Sequence, residues 1–507
     1  MTGKRILEGF DIAIEHGRVI DPLTGFDGEA NIGIKDGIIA AIVPPIEKLK
    51  GKRTIDAAGL VVAPGFINVH SHSTDMGKGG VELYIRDGIT TEVSGNCGMF
   101  GPVSFSGFAD SAEKEGLISN TAVYIGHNAL REAVGVADNR TPADAGQLAE
   151  MEKIARQSLK DGALGVSFGP FYGPGATYDE MLTLAKITAE YGGCSASHVR
   201  EAFTPDDAVK SVDEGKNTAR EAGIPFIISH TGGGPTVVPR TSGPVLEAIF
   251  AGLDQGLKLA MDFYGYDAFL TEISAPVFDL PMEVMTQVLQ SKISDLEMPS
   301  TVIIDGKVYM KPGQRFETAE QFSYIRNRVK SKEIPEPGLI GHLYKQSKLD
   351  FWMTCPLVMV ANDCTMSIDK ATGKYVGHPK DAGTFAHFLG YWVRQRGVCD
   401  LRTALARTSA MAASFLGLDK KGRVQQGCDA DIVIFDADRV IDRSTYTEPG
   451  VPSDGIPYVL VSGELAVDNG KYTGIRAGKI IRRGWKVPGN YPNLGKAPAS
   501  SIEALRR

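Results

Sequence analysis

No stretch of this 507-residue chain approaches the roughly 18 consecutive apolar residues that a membrane-crossing helix requires, so a soluble protein without a membrane partner is expected. An excess of basic charge is also missing. The chain carries 54 Lys and Arg against 61 Asp and Glu, a formal net charge of −7, which offers no electrostatic footprint for nucleic acid or an anionic bilayer. A small molecule is the expected partner, and nothing in the residues fixes an oligomeric state. Cysteine is scarce: six residues, scattered without close pairing, do not make a disulfide framework. In a reducing compartment such thiols are buried small hydrophobes, ligands or nucleophiles. Cys194, Cys355, Cys364, Cys399 and Cys428 fit the first role, and Cys97 stands apart. Residues 1–9 hold charges with no apolar segment behind them, so no secretory signal is expected and a cytoplasmic location follows.

What the chain does have is two kinds of periodicity. From Phe10 to Val62, apolar and polar residues alternate through Asp11–Glu15, Asn31–Gly37 and Thr54–Asp56, and the pattern returns in Asp431–Asp436, Tyr458–Glu464 and Lys479–Arg483. Period-two alternation punctuated by Gly and Asp predicts short antiparallel strands. Neither set alone makes a comfortable sheet with a buried face, so residues 1–62 and 416–507 are expected to join in one small accessory β domain.

Between them, over residues 63–415, apolar runs alternate with helical stretches such as Asp179–Tyr191 and Asp206–Ala222. Eight strands are predicted, ending at His72, Asn96–Cys97, Gly126–His127, Phe168–Gly169, His198, Ser229–His230, Phe263–Tyr264 and Asn362–Asp363. Eight strand–helix units imply an α/β fold of the closed (β/α)8, TIM-like kind. In such a barrel the C-terminal strand ends form the active-site face, so residues far apart in sequence converge there.

The residues at those ends are of metal-binding type. His70 and His72 lie on one face of the first strand and can grip one cation; His198 and His230 would supply a second pair. Any one of them could be a hydrogen-bonded structural histidine, but four at the strand ends of one barrel point to a metal centre. Cys97, in Gly95-Asn96-Cys97-Gly98, is exposed by its glycines and can bind a dication softly. The fourth strand, Gly162–Gly169, has no lysine to serve as a modified bridge, which leaves Cys97 for that task. Asp363 could cap a helix, yet no other strand end offers a carboxylate, and hydrolysis needs a group that takes a proton from water and returns it to a leaving amine. Asp363 is therefore the expected catalytic residue. Tyr172 could donate to an oxyanion, while His127 and Arg131 would organise the floor of the site.

These elements resemble the N-acyl-D-amino-acid deacylase (D-aminoacylase) family of the amidohydrolase superfamily over nearly the whole chain. The resemblance rests on Ala63–Ile67 with its histidine pair, on Gly88–Thr91 running into Gly95–Gly98, and on Gly126-His127 with Leu130-Arg131. It continues through Gly162–Gly165 and Tyr172–Ala176, His198–Arg200, Ser229-His230, Tyr264–Tyr266 and Gly377-His378-Pro379. It implies a zinc-dependent hydrolase of N-acyl amino acids, D-configured, with zinc held by Cys97, His198 and His230. A second ion at His70 and His72 makes one or two Zn2+ per chain. It further implies Asp363 as acid/base and a substrate-covering insertion around 267–347, with Tyr172, Arg200, Tyr264, His378 and Lys380 at the substrate. The departures fall on recognition. Thr231-Gly232-Gly233-Gly234-Pro235 stands where the family has a lysine, Lys380 replaces an arginine that receives the substrate carboxylate, Cys364 replaces a glycine, and Ser73 an aromatic. A point-charge ammonium cannot reproduce the fork of a guanidinium. A cyclic amide such as a hydantoin, dihydropyrimidine or lactam is the rival substrate, since its hydrolysis uses the same chemistry. A binding protein that had lost the chemistry would be expected to lack a ligand, and all candidate ligands are present.

Overall fold

The computed structural model describes residues 6–73, 80–99, 101–233, 238–365 and 367–483. Residues 1–5 and 484–507 of the expected accessory domain, and Gly234 and Pro235 after His230, lie outside them.

Eight strand positions run in order as Phe66–Ser71, Ile89–Ser94, Asn120–Val123 continued by Ile125–Gly126, Val166–Phe168, Ser195–Ser197, Phe226–Ile228, Leu259–Phe263 and Val358–Val360. All neighbouring pairs are parallel. The eighth strand closes on the first through the Ser71–Cys364 bridge and through the Asp363 N–H, which donates to the His70 carbonyl at 2.9 Å. This is the expected (β/α)8 barrel, with strands stopping close to the residues singled out in the sequence.

Ile67, Val93, Tyr124, Ala196, Ile227 and Met359 come from different strands yet share one buried cluster, which is the filling of the barrel lumen. The same cluster takes in Ala412, Phe415 and Leu416 from the helix Met411–Leu416, which plugs the end opposite the site. The outer helices obey the expected period. In Pro205–Ala222 the buried residues Ala208, Ser211, Val212, Gly215, Thr218 and Ala219 form one stripe. Thr204 accepts from the Asp207 N–H in a capping box, an arrangement worth about 1 kcal/mol, and Gly223 at φ 70° ends the helix.

The chain ends join as expected. A nine-stranded sheet takes Ile6–Asp21, Phe26–Lys35, Ile38–Val43, Lys48–Asp56 and Val61–Pro64 from the start, and Ile432–Phe435, Tyr458–Val461, Glu464–Asp468 and Lys471–Tyr472 from the end. The seam is the antiparallel pairing of Val61–Pro64 with Ile432–Phe435, so Ala63 and Pro64 belong to this sheet rather than to the barrel. Period two gives these strands two jobs. Ile432 and Ile434 enter the sandwich core with Ile14 and Ile32, whereas Val433 and Phe435 join the barrel's outer core.

One predicted strand goes elsewhere. Lys479–Arg483 leaves the accessory sheet and lies along the third barrel strand, bridging Thr121 to Ile480, with the Thr121 N–H on the Lys479 carbonyl at 2.9 Å. Gly478 permits the approach, because a Cβ there would stand 2.1 Å from the Ser119 carbonyl oxygen. The excursion between the seventh and eighth strands combines strands and helices. It pairs Phe269–Thr271 and Leu296–Glu297 with Leu339–Gly341, adds helices Met282–Leu289 and Ala319–Lys330, and buries its own core of Phe278, Met285, Met298, Phe316, Phe322 and Ile325.

Candidate metal centre and active site

Four residues from four barrel strands meet above the lumen. One donor atom from each of His70, Cys97, His230 and Asp363 lies within 4.8 Å of all the others, and all four residues are buried. Cys97 Sγ is 3.2 Å from His70 Nε2 and 3.5 Å from His230 Nε2. Zn–N and Zn–S bonds of about 2.1 and 2.3 Å in a tetrahedral arrangement place their ligand atoms about 3.5 Å apart. The donor set and its spacing fit a zinc-like cation.

The backbone is bent to bring these atoms together. Cys97, His230 and Asp363 have φ of 60°, 36° and 46°, a region that costs a side-chain-bearing residue about 1–2 kcal/mol. Strain gathered at three of four donor residues marks a functional site. The loop carrying Cys97 is pressed onto the fourth strand, where a Cβ on Gly98 would be 2.5 Å from the Gly169 nitrogen. Glycine is required there for space as well as for its φ of 66°.

His72 and His198 flank the quartet. His72 Nε2 is 3.3 Å from Asp363 Oδ1, the oxygen that also stands 3.3 Å from His70 Nε2. The His198 ring packs edge-on to His230 at 4.2 Å, and its Nδ1 is buried without a hydrogen-bond partner among the described residues. The four-residue group thus draws on both expected histidine pairs, taking His70 from one and His230 from the other.

Electrostatics favour an anionic core. Burial opposes a charged Cys97, but His70, His198 and His230 overcome it and hold the thiol well below its usual range. Burial likewise opposes the Asp363 carboxylate, and Lys380 with the surrounding histidines holds it well below the ordinary carboxyl value. His198 is pushed down to about 4 by burial and by His230, so it offers a neutral imidazole.

Sequence reasoning missed Asp262. It lies one residue inside the end of the seventh strand, and its carboxylate spans two donors: Oδ2 is 3.4 Å from His70 Nδ1, and Oδ1 accepts the His230 N–H at 2.7 Å. A carboxylate behind an imidazole fixes its tautomer and raises its basicity. The expectation that Asp363 is the sole carboxylate at a strand end is thereby corrected. The available signal was a lone acid in the apolar run Leu259–Phe263.

Of the residues expected at the substrate, Lys380 and His378 are buried outside the cavity lining, while Arg200 lines it with its charge already paired. Lys380 is fully buried behind Asp363, with Nζ 3.3 Å from Asp363 Oδ2 and 3.6 Å from Asp381 Oδ1. Two carboxylates hold the ammonium inward. His378 is also buried; its Nδ1 accepts the Lys380 N–H at 3.0 Å and its Nε2 reaches the Ala268 carbonyl at 3.0 Å, which ties the insertion's base to the Lys380 segment. Arg200 does line the cavity, but Nε bonds both Glu214 oxygens at 2.9 Å, and its two terminal nitrogens donate to the Pro174 and Ala176 carbonyls. It braces the loop it sits under.

Tyr172 and Tyr264 do face the cavity. The Tyr172 hydroxyl is 3.2 Å from Thr271 Oγ1, and burial raises its pKa, so it remains a donor. Tyr264 pairs its hydroxyl with that of Tyr344 at 3.4 Å. Deeper, His127 and Arg131 converge on Glu180 Oε1 at 2.7 and 2.5 Å, a buried brace in keeping with a floor role. The insertion roofs the site and, with the strand ends, encloses a cavity of about 300 Å³.

Residues 365–467 match the model of the amidohydrolase family. An N-acyl-D-glutamate deacylase of Alcaligenes xylosoxydans xylosoxydans is 30% identical over 516 residues, covering 95% of this chain and 98% of that protein. The chain belongs to the N-acyl-D-amino-acid deacylase family of amidohydrolases. As a member of it, this deacylase-family chain is a hydrolase of C–N bonds. Among solved structures, the N-acyl-D-glutamate deacylase of Bordetella bronchiseptica, complexed with zinc and a phosphonate mimic of the tetrahedral intermediate, superposes with a TM-score of 0.76 at 26% identity, covering 93% of this chain and 99% of that one. A D-aminoacylase described as having a binuclear metal centre gives a TM-score of 0.79 at 25% identity, covering 94% and 100%. Among the described residues of this deacylase-family chain, no helix is long and apolar enough to cross a membrane.

Proposed function

We propose that the chain hydrolyses the amide bond of an N-acylated amino acid of D configuration, releasing a carboxylate and a free amine. The observation that carries this reading is the group His70, Cys97, His230 and Asp363, with donor atoms mutually within 4.8 Å at the base of a roofed cavity. These residues, with His72 and His198 beside them, would hold one or two zinc ions. Zinc bound there would supply a Lewis acid for the water and for the amide carbonyl.

The chain's own groups do the rest. Asp363, held ionised, takes the proton of the attacking water and delivers it to the departing nitrogen. Lys380 anchors Oδ2, which leaves Oδ1 facing His70 and His72. Tyr172 donates its hydroxyl to the developing oxyanion, and Asp262 keeps the His70 ring oriented. The D configuration is carried over from the names of the relatives and rests on them alone.

A panel of N-acetyl-D-amino acid derivatives, free and carboxyl-capped, their L forms and cyclic imides, tested on zinc-loaded protein, checks the reading. Turnover of the linear D amides with little of the L forms is expected. Preference for a hydantoin or dihydropyrimidine would overturn it.

A further inference from the structure

Carboxyl groups outnumber Lys and Arg on the described wall of the cavity above the metal centre. Its wall is largely apolar, formed by residues such as Phe171, Phe203, Phe269, Val277, Phe278 and Met285. The carboxyls that line it are Glu201, Glu272 and Glu336 besides Asp363. Glu336 is committed, since it accepts from the Ile273 and Ser274 N–H groups and so fixes the turn that carries Glu272. Glu272 follows Thr271, the partner of the Tyr172 hydroxyl, and its charge acts on both His72 and Tyr172. It therefore belongs to the side of the wall that carries Tyr172. One Glu201 oxygen is buried with no hydrogen-bond partner among the described residues.

Nothing on the described wall answers a carboxylate. Arg200 is the lysine or arginine lining the cavity, and its guanidinium is occupied by Glu214 and two backbone carbonyls. Lys380 is fully buried behind Asp363, where its ammonium makes no hydrogen bond among the described residues but is ion-paired at 3.3 and 3.6 Å with two carboxylates. Away from the metal centre itself, a carboxylate entering this cavity would give up its water, find no Lys or Arg left open to it among the described residues and face Glu272. An amide, a hydroxyl or an ammonium would instead present donors to it.

Resting on the deacylase reading of the same site, we infer that the substrate carries no net negative charge on its amine side, being an N-acylated D-amino acid that is basic or carboxyl-capped, and that Glu272 is the residue that selects it. Burial raises the Glu272 and Glu201 carboxyls to about 7, so both ionise most readily when a cation sits beside them.

A series with one acyl group and one configuration tests this on the zinc-loaded full chain: N-acetyl-D-glutamate, N-acetyl-D-leucine, N-acetyl-D-leucinamide and N-acetyl-D-lysinamide. The expected order of kcat/KM rises along the series, with the leucinamide at least about tenfold above the leucine. Glu272→Lys should flatten or invert that order. Calorimetric titration of the wild-type protein with D-leucinamide and with D-leucine gives a readout free of turnover and needs no folded variant; tighter binding of the amide is expected. The inference is overturned if N-acetyl-D-leucine or N-acetyl-D-glutamate is the best substrate, or if Glu272→Lys folds and leaves the order unchanged. In those cases linear amides are still cleaved, so the deacylase reading stands. Cleavage of cyclic imides alone would remove both.

Discussion

Lys380→Met separates two roles for a residue that the family pattern places at the substrate and the structure places behind Asp363. At 3.3 Å from Asp363 Oδ2, with an effective dielectric of about 20, the attraction between the two charges is about 5 kcal/mol; Asp381 at 3.6 Å adds a similar amount. The cost of burying the ammonium offsets much of this. Removing the cation leaves two carboxylates without it in a water-poor site, which destabilises by about 3–5 kcal/mol. Denaturant unfolding of metal-free wild type and variant, followed by circular dichroism, should show that loss in the first transition. Kinetics carry the sharper distinction. If Lys380 anchors Asp363, kcat should fall about a hundredfold for every substrate, with KM little changed, because proton transfer loses its positioned group. If Lys380 instead receives a substrate carboxylate, KM should rise for free acids and stay unchanged for carboxyl-capped amides. That second pattern, with stability within about 1 kcal/mol of wild type, would refute the placement argued from these distances.

Asp363→Asn should reduce turnover about a hundredfold or more even when activity is expressed per bound zinc, and near-normal turnover at full occupancy would remove its acid/base role. Cys97→Ser should lower zinc stoichiometry measured by atomic emission, since a hydroxyl is a poor substitute for a thiolate; unchanged zinc would exclude Cys97 from the centre. Burial opposes the Glu180 carboxylate, but His127 and Arg131 pull it from its ordinary 4.5 down to about 2. A depressed carboxyl contributes stability that is full above about 4.5 and lost as pH falls toward about 2. The metal-free protein should therefore lose about 3 kcal/mol across that interval, and Glu180→Gln should show a correspondingly flatter profile.

The barrel was legible because its strands are short apolar runs that end in residues with chemistry, and a strand-end histidine or cysteine is conspicuous after Ile67-Asn68-Val69 or Phe226-Ile227-Ile228. Asp262 was not, because it precedes the strand end by one residue and nothing in alternation marks which strand residue turns toward a ligand. Lys380 kept its place in the His-Pro motif, but where its ammonium settles depends on Asp363 and Asp381, and the first of these comes from the end of the eighth strand while Lys380 opens a helix. Lys479–Arg483 alternates like an accessory strand, yet period two does not choose a partner. The Thr121 and Lys479 backbones meet because Gly478 allows it. The insertion's strands of two to four residues are too short for a period to show.

The seam between Val61–Pro64 and Ile432–Phe435 has a consequence for how the molecule is made. During synthesis, Val61–Pro64 emerges with one hydrogen-bonding edge open, and the strand that covers it follows only after the whole barrel has been translated. For that interval the growing chain exposes a short apolar edge, the kind of surface on which chains pair wrongly. Its four residues limit the hazard, and the late arrival of Ile432–Phe435 makes completion of the sheet a long-range event that accompanies barrel closure. Folding intermediates that hold a formed barrel without this strand should bind chaperones, and release should coincide with docking of the last segment.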